Sequence, residues 1–123
     1  MTLNEKIAAY VELMNEAREI SNRANSRAYE LRQTAVRIGF EATAAAEHAA
    51  LMAEIVRENT ESGSLSKLIH ASREAASRAA EATLKALEAI KAANAADHEA
   101  TEAFERTREA AEKLTEALQV EGY

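Results

Sequence analysis

The chain has 123 residues, about a quarter of them alanine, and a formal net charge of -6. It has no cysteine, which excludes disulfides, thiolate metal sites and cysteine nucleophiles. The acidic balance argues against general attraction to DNA, RNA or anionic lipid, and 4% aromatic content without tryptophan leaves base-stacking surfaces short of material.

The N-terminal stretch MTLNEKIAAYVELMNEAREI has no basic segment followed by a continuous apolar run, so it does not read as a signal peptide. No run reaches the roughly 18 apolar residues of a membrane span. The expected setting is soluble and cytoplasmic. Alanine together with Glu, Lys, Arg and Leu at heptad spacing is the composition of long helices and coiled coils.

The first helix is expected over about 3–60. Thr2 serves as its N-cap and Glu5 completes the capping box TLNE. Spacings of four and three then continue through Leu3, Ile7, Tyr10, Met14, Ala17, Ser21, Ala24 and Ala28. The series runs on through Leu31, Ala35, Ile38, Ala42, Ala45, Ala49, Met52 and Val56. A pattern sustained this long predicts one helix with one continuous seam.

A turn is expected at about 61–65. Gly63 suits the left-handed position just past a helix C-terminus, and Ser64 or Ser66 suits the following N-cap. The terminal VEGY is expected to fray.

The second helix is expected over about 66–119. Its series is Leu65, Ile69, Ser72, Ala76, Ala79, Thr83, Ala86, Ile90, Ala93, Asp97, Ala100, Phe104, Thr107, Ala111, Leu114 and Leu118. Beside it runs a column of Leu68 and then only alanines, at 75, 82, 89, 96, 103, 110 and 117. Such a column lets another helix approach closely.

A short turn makes the two helices antiparallel neighbours. Folding at Gly63 puts residues whose numbers add to about 126 at one level. The basic run Arg18, Arg23, Arg27, Arg32 and Arg37 then faces Asp97, Glu99, Glu102, Glu105 and Glu109. Lys85 falls near Glu41 and Lys67 near Glu58. Each exposed pair is worth only about 0–1 kcal/mol, but together they favour the antiparallel register. The stretches around 21–26 and 94–97 are rich in helix-weakening residues and are the expected sites of any kink. Neither contains the Gly or Pro that a reversal would need.

Little here points to chemistry. HEATE at 98–102 places Glu102 where the zinc-binding HExxH pattern needs a second histidine. No histidine has a glutamate three residues before it, as di-iron bundles require. Gly39, Gly63 and Gly122 are isolated, so no glycine-rich phosphate loop exists. No serine sits in a G-x-S-x-G elbow. The expectation is a protein without catalysis, metal or other cofactor.

The most informative residues lie off the seams. Tyr29, Val36 and Phe40 form a second apolar stripe on the first helix, and Leu84 and Leu87 do so on the second. Gly39 within a helix costs about 1 kcal/mol relative to alanine, so a close helix approach is expected there, with Leu87 lying over it. A lone hairpin has one seam and leaves this stripe uncovered.

The fold class expected is all-α: a long antiparallel two-helix hairpin, an alanine-rich coiled coil, associating into a four-helix bundle. Its function is expected to be structural or interaction-based. The interface is placed at Tyr29, Val36, Gly39, Phe40, Leu84 and Leu87, and the partner is a second copy (a dimer) or another helical protein. The alternative is a bundle holding a small apolar ligand, with small and polar seam residues leaving a cavity near Phe40. In architecture alone the hairpin resembles bacterial chemoreceptor signalling domains, but it lacks that family's glycine-containing tip. Regular heptads without Pro, Cys or Trp also suit a de novo design, against which stand Asn25, Gly39 and Asp97.

Overall fold

The computed structural model describes residues 2–61 and 63–120. Two α-helices, α1 (Leu3–Glu58) and α2 (Leu65–Val120), pack against each other as a hairpin in an all-α fold. Both remain helical through 21–27 and 94–98. With no proline in either stretch, the backbone hydrogen bonds continue across the weak helix formers. Residues 121–123 of VEGY lie outside the described residues.

The start of α1 is fixed by local chemistry. The Glu5 amide donates to Thr2 Oγ1 at 3.2 Å, and the Thr2 amide donates to Glu5 Oε2 at 3.1 Å. The Thr2 carbonyl accepts the first intrahelical bond, from the Lys6 amide at 3.0 Å. This reciprocal box satisfies two donors that a helix N-terminus otherwise leaves without helical partners. At the start of α2, the Ser64 carbonyl takes the equivalent bond from the Leu68 amide at 3.0 Å, which makes Ser64 the N-cap by backbone geometry.

The end of α1 differs from the expectation built on Gly63. Asn59 Nδ2 donates to the Ile55 carbonyl at 2.7 Å, and the Asn59 amide turns back to the Val56 carbonyl at 3.2 Å. Those contacts satisfy late carbonyls of the helix and stop it at Glu58, well before the glycine. Gly63 itself is not in the left-handed region, and a Cβ built on it would meet nothing within 4 Å.

Stopping α1 earlier shifts the register. One groove is lined by Tyr10, Leu13 and Ala17 from α1 and by Arg106, Ala110 and Lys113 from α2. Paired levels therefore carry numbers adding to about 123, as do the facing helix ends Glu58 and Leu65. The expected value was three higher because it placed the fold point at Gly63.

The hairpin contains two compact units, Met1–Glu30 with Ala93–Tyr123, and Leu31–Ala92. In the first, Ser21 and Ala28 of α1 are buried, as are Ala93, Ala96, Ala100 and Ala103 of α2. Small side chains meet small side chains there. In the second, Ala75 and Ala86 of α2 are buried. The α1 positions Leu31, Ala35, Ile38, Ala42, Ala45, Ala49, Met52 and Val56 are half-buried. Among the described residues every buried apolar side chain is an alanine.

Every member of the α1 series is buried or half-buried. The α2 series needs correction, because Ala76, Thr83, Ile90 and Phe104 are exposed. The covered strip instead alternates three and four through Leu65, Leu68, Ser72, Ala75, Ala79, Ala82 and Ala86. It continues through Ala89, Ala93, Ala96, Ala100, Ala103, Thr107, Ala110, Leu114 and Ala117. The alanine column is thus part of the seam, not its neighbour. Two helix backbones come nearest where side chains are smallest, so the contact turns towards alanine and leaves bulkier Ile90 and Phe104 outside.

Ala96 (3% exposed) and exposed Ala95 give a direct test of that packing. Ala96→Leu should lower the unfolding free energy in urea by about 1–3 kcal/mol through overpacking. Ala95→Leu should stay within about 0.5 kcal/mol of the parent chain.

Candidate interaction surface

Heptads lettered a to g, with Ile7 and Leu65 both at a, place the seam of each helix at a and d. Around a helix the order of faces is then a, e, b, f, c, g, d. Positions e and b form one flank, c and g the other, and f the back. Because the chains of a hairpin run in opposite directions, the e and b flanks of both helices lie on one side.

Several bulky apolar residues lie outside. Tyr29 is 59% exposed, Val36 54%, Phe40 71%, Leu84 62% and Leu87 51%. Tyr29 belongs to the first unit and the others to the second. Within the second unit, Val36 and Leu87 both occupy b and share one level, so they stand side by side on one flank. Phe40 and Leu84 occupy f, on the backs of their own helices. On each helix f is next to b, so Phe40 lies one turn from Val36 and Leu84 one turn from Leu87. Exposed Ile90, at e, joins Val36 and Leu87, and Phe104, also at e, is exposed in the first unit. Both were assigned to the seam by the periodicity, and the adjacent alanine column was the signal that could have moved them out.

Gly39 occupies e on the same flank as Val36. A Cβ built on it meets nothing within 4 Å, so Leu87 does not lie over it and no helix of this chain closes on it. The helical cost of about 1 kcal/mol has no compensating contact within the hairpin. The Gly39 carbonyl accepts a bond from Thr43 Oγ1 at 3.0 Å. Thr83, Thr101 and Thr115 likewise donate to the carbonyls of Ala79, Asp97 and Ala111, at 2.9, 3.0 and 3.0 Å. All four threonines occupy b or e. With its hydroxyl turned back to its own helix, each presents a largely apolar outer surface.

Charges sort by flank. Every glutamate and every lysine inside the helices falls at c, f or g, and none at b or e. The b and e positions hold Arg18, Arg32, Arg57, Arg73, Arg108 and Asp97 as their only charged residues. The ion pairs of Arg23, Arg37 and Arg108 are local to one helix. Arg23 meets Glu19 at 2.8 Å, Arg37 meets Glu41 at 3.5 Å, and Arg108 meets Glu105 at 2.6 Å. Arg23 and Arg37, expected to face the acidic run of α2, thus have partners in α1. A neighbour one turn away is reached without coordinating two helices, which is why the local pair forms.

His98 Nε2 lies 3.0 Å from Glu102 Oε1, and His70 Nε2 lies 3.1 Å from Glu74 Oε1. Both pairs are exposed and span one turn. Among the described residues no group of three or more His, Cys, Asp or Glu side chains is placed to hold a metal ion. Among the described residues no helix is long and apolar enough to cross a membrane. In the first unit an open cleft of about 540 Å³ is lined by Leu3, Ile7, Tyr10, Lys113, Ala117 and Val120, among others. Phe40 is 71% exposed.

No protein-family model, curated protein or solved structure matches the chain.

Aromatic truncation in a protein core costs about 3–5 kcal/mol. Phe40→Ala should instead change the unfolding free energy by less than about 0.5 kcal/mol when measured by circular dichroism at high dilution. A core-sized loss would place Phe40 inside the hairpin.

Proposed function

We propose that the chain is a non-catalytic structural or interaction module, a helical hairpin that associates with a second copy into a four-helix bundle. The observation that carries this reading is that Val36, Phe40, Leu84 and Leu87 lie outside, while among the described residues the fully buried apolar side chains are all alanine. A compact monomer of 13.4 kDa exposes about 6500 Å², whereas this chain exposes 8951 Å². The excess is larger than the roughly 1600 Å² that a stable protein–protein interface removes from solvent in total. Closed two-fold pairs are the commonest way for one chain to cover such a surface.

A second reading is a bundle that holds a small apolar ligand. The 540 Å³ cleft supports it by volume, which falls in the range of small-molecule sites. Thermal unfolding against a set of apolar compounds tests it, since binding to the native state raises the midpoint.

Sedimentation equilibrium of the purified chain tests the main reading. A dimer at micromolar concentration is expected. A fully helical monomer at every concentration up to about 1 mM, a Kd weaker than −4.1 kcal/mol corresponds to, would overturn it.

A further inference from the structure

Self-association leaves open which side of the hairpin meets the second copy, and charge placement distinguishes the two sides. The c and g flank of the second unit carries Glu41, Glu58, Glu74, Glu81 and Glu88 together with Arg37, Lys67, Arg78 and Lys85. Burying that flank against a second copy would strip all nine charges of water. The b and e flank of the same unit carries no carboxylate and no lysine. It is uncharged from Val36 to Ala53 on α1 and from Ala76 to Ile90 on α2, with Arg32, Arg57 and Arg73 at its borders.

Resting on the self-association proposed above, we infer that the flank bearing Val36, Gly39, Thr43, Thr83, Leu87 and Ile90 is the face on which a second copy of this chain packs. Three independent features of the flank suit that occupant. It lacks the charges that would repel their own images across a two-fold axis. Its threonine hydroxyls already donate to Gly39 and Ala79 within their own helices, so burying them strands no donor. Bulky Val36, Leu87 and Ile90 alternate with small Gly39, Ala46 and Ala76, and Gly39 has open space where a neighbouring backbone can come close. Depletion of Glu and Lys with retention of Arg at the edge is also the composition of protein interfaces. The arginines at the border keep their guanidinium groups in water while their stems cover the rim.

Ala44 and Ala46 provide a matched test, since both are exposed alanines of α1, at c and e respectively. Ala46→Glu should weaken the dimer at least tenfold in sedimentation equilibrium, and Ala44→Glu less than twofold. Thr83→Lys, of opposite charge and on the other helix, should weaken it like Ala46→Glu, because the effect comes from burying a charge of either sign. Circular dichroism at high dilution must show each variant helical with an unchanged unfolding midpoint, so that dissociation is not unfolding. Loss of the dimer with Ala44→Glu, or an equal response of all three variants, overturns this face while leaving self-association standing. A parent chain that stays monomeric overturns both the face and the reading beneath it.

Discussion

The close approach of two helices along a strip of alanine sets the terms for the rest of this structure. A buried alanine contributes only about one methyl group of transfer free energy, roughly 0.8 kcal/mol, against about 1.5–3 for a leucine or phenylalanine. In return it loses no side-chain rotamer freedom and has the best helix propensity of any residue. Such a seam gains little per turn and costs little per turn. It holds through length, and here each helix contributes 56 residues. Geometry follows directly: α2 turns its alanines to the contact and leaves bulkier Ile90 and Phe104 outside, while α1 keeps Ile7, Met14, Leu31, Ile38 and Met52 half-buried in the seam.

That displacement explains which parts of the fold were legible in the sequence. The α1 seam was read correctly because bulky residues such as Ile7, Met14, Leu31, Ile38 and Met52 mark it at heptad spacing. On α2 two phases satisfied the same periodicity, one through Ile69, Ile90 and Phe104 and one through the alanines. Hydrophobicity favoured the first, and proximity selected the second. A rule that ranks residues by apolar area fails where the contact is limited by distance. The same choice of phase hid Ile90 and Phe104 in the expected seam, although both are exposed.

Termini show the same contest between a general preference and a specific bond. The capping box at Thr2 and Glu5 was legible because both partners are adjacent in sequence and each satisfies the other. Glycine is the commonest helix terminator, and that preference pointed to Gly63. Asn59 lies four residues earlier and has an amide that reaches the Ile55 carbonyl, so the helix ends there and the glycine serves only the turn. The ion pairs follow a similar course. Arg23 and Arg37 find carboxylates one turn away, and the expected cross-helix partners of these two are not used.

Segregation of charge then connects the seam to the outer surface. Nothing in the alanine contact requires that glutamate and lysine stay away from b and e, because those positions already lie outside it. A hairpin meant only to remain dissolved would gain from glutamate on every outer face, through helix propensity and solubility alike. Instead the b and e positions from Val36 to Ala53 and from Ala76 to Ile90 carry valine, threonine, alanine, leucine and isoleucine, and one glycine that weakens its own helix. Each of those choices lowers the cost of removing that flank from water, and none of them strengthens the contact between α1 and α2. The hairpin seam accounts for the alanines; the composition of the flank supports the proposed second contact.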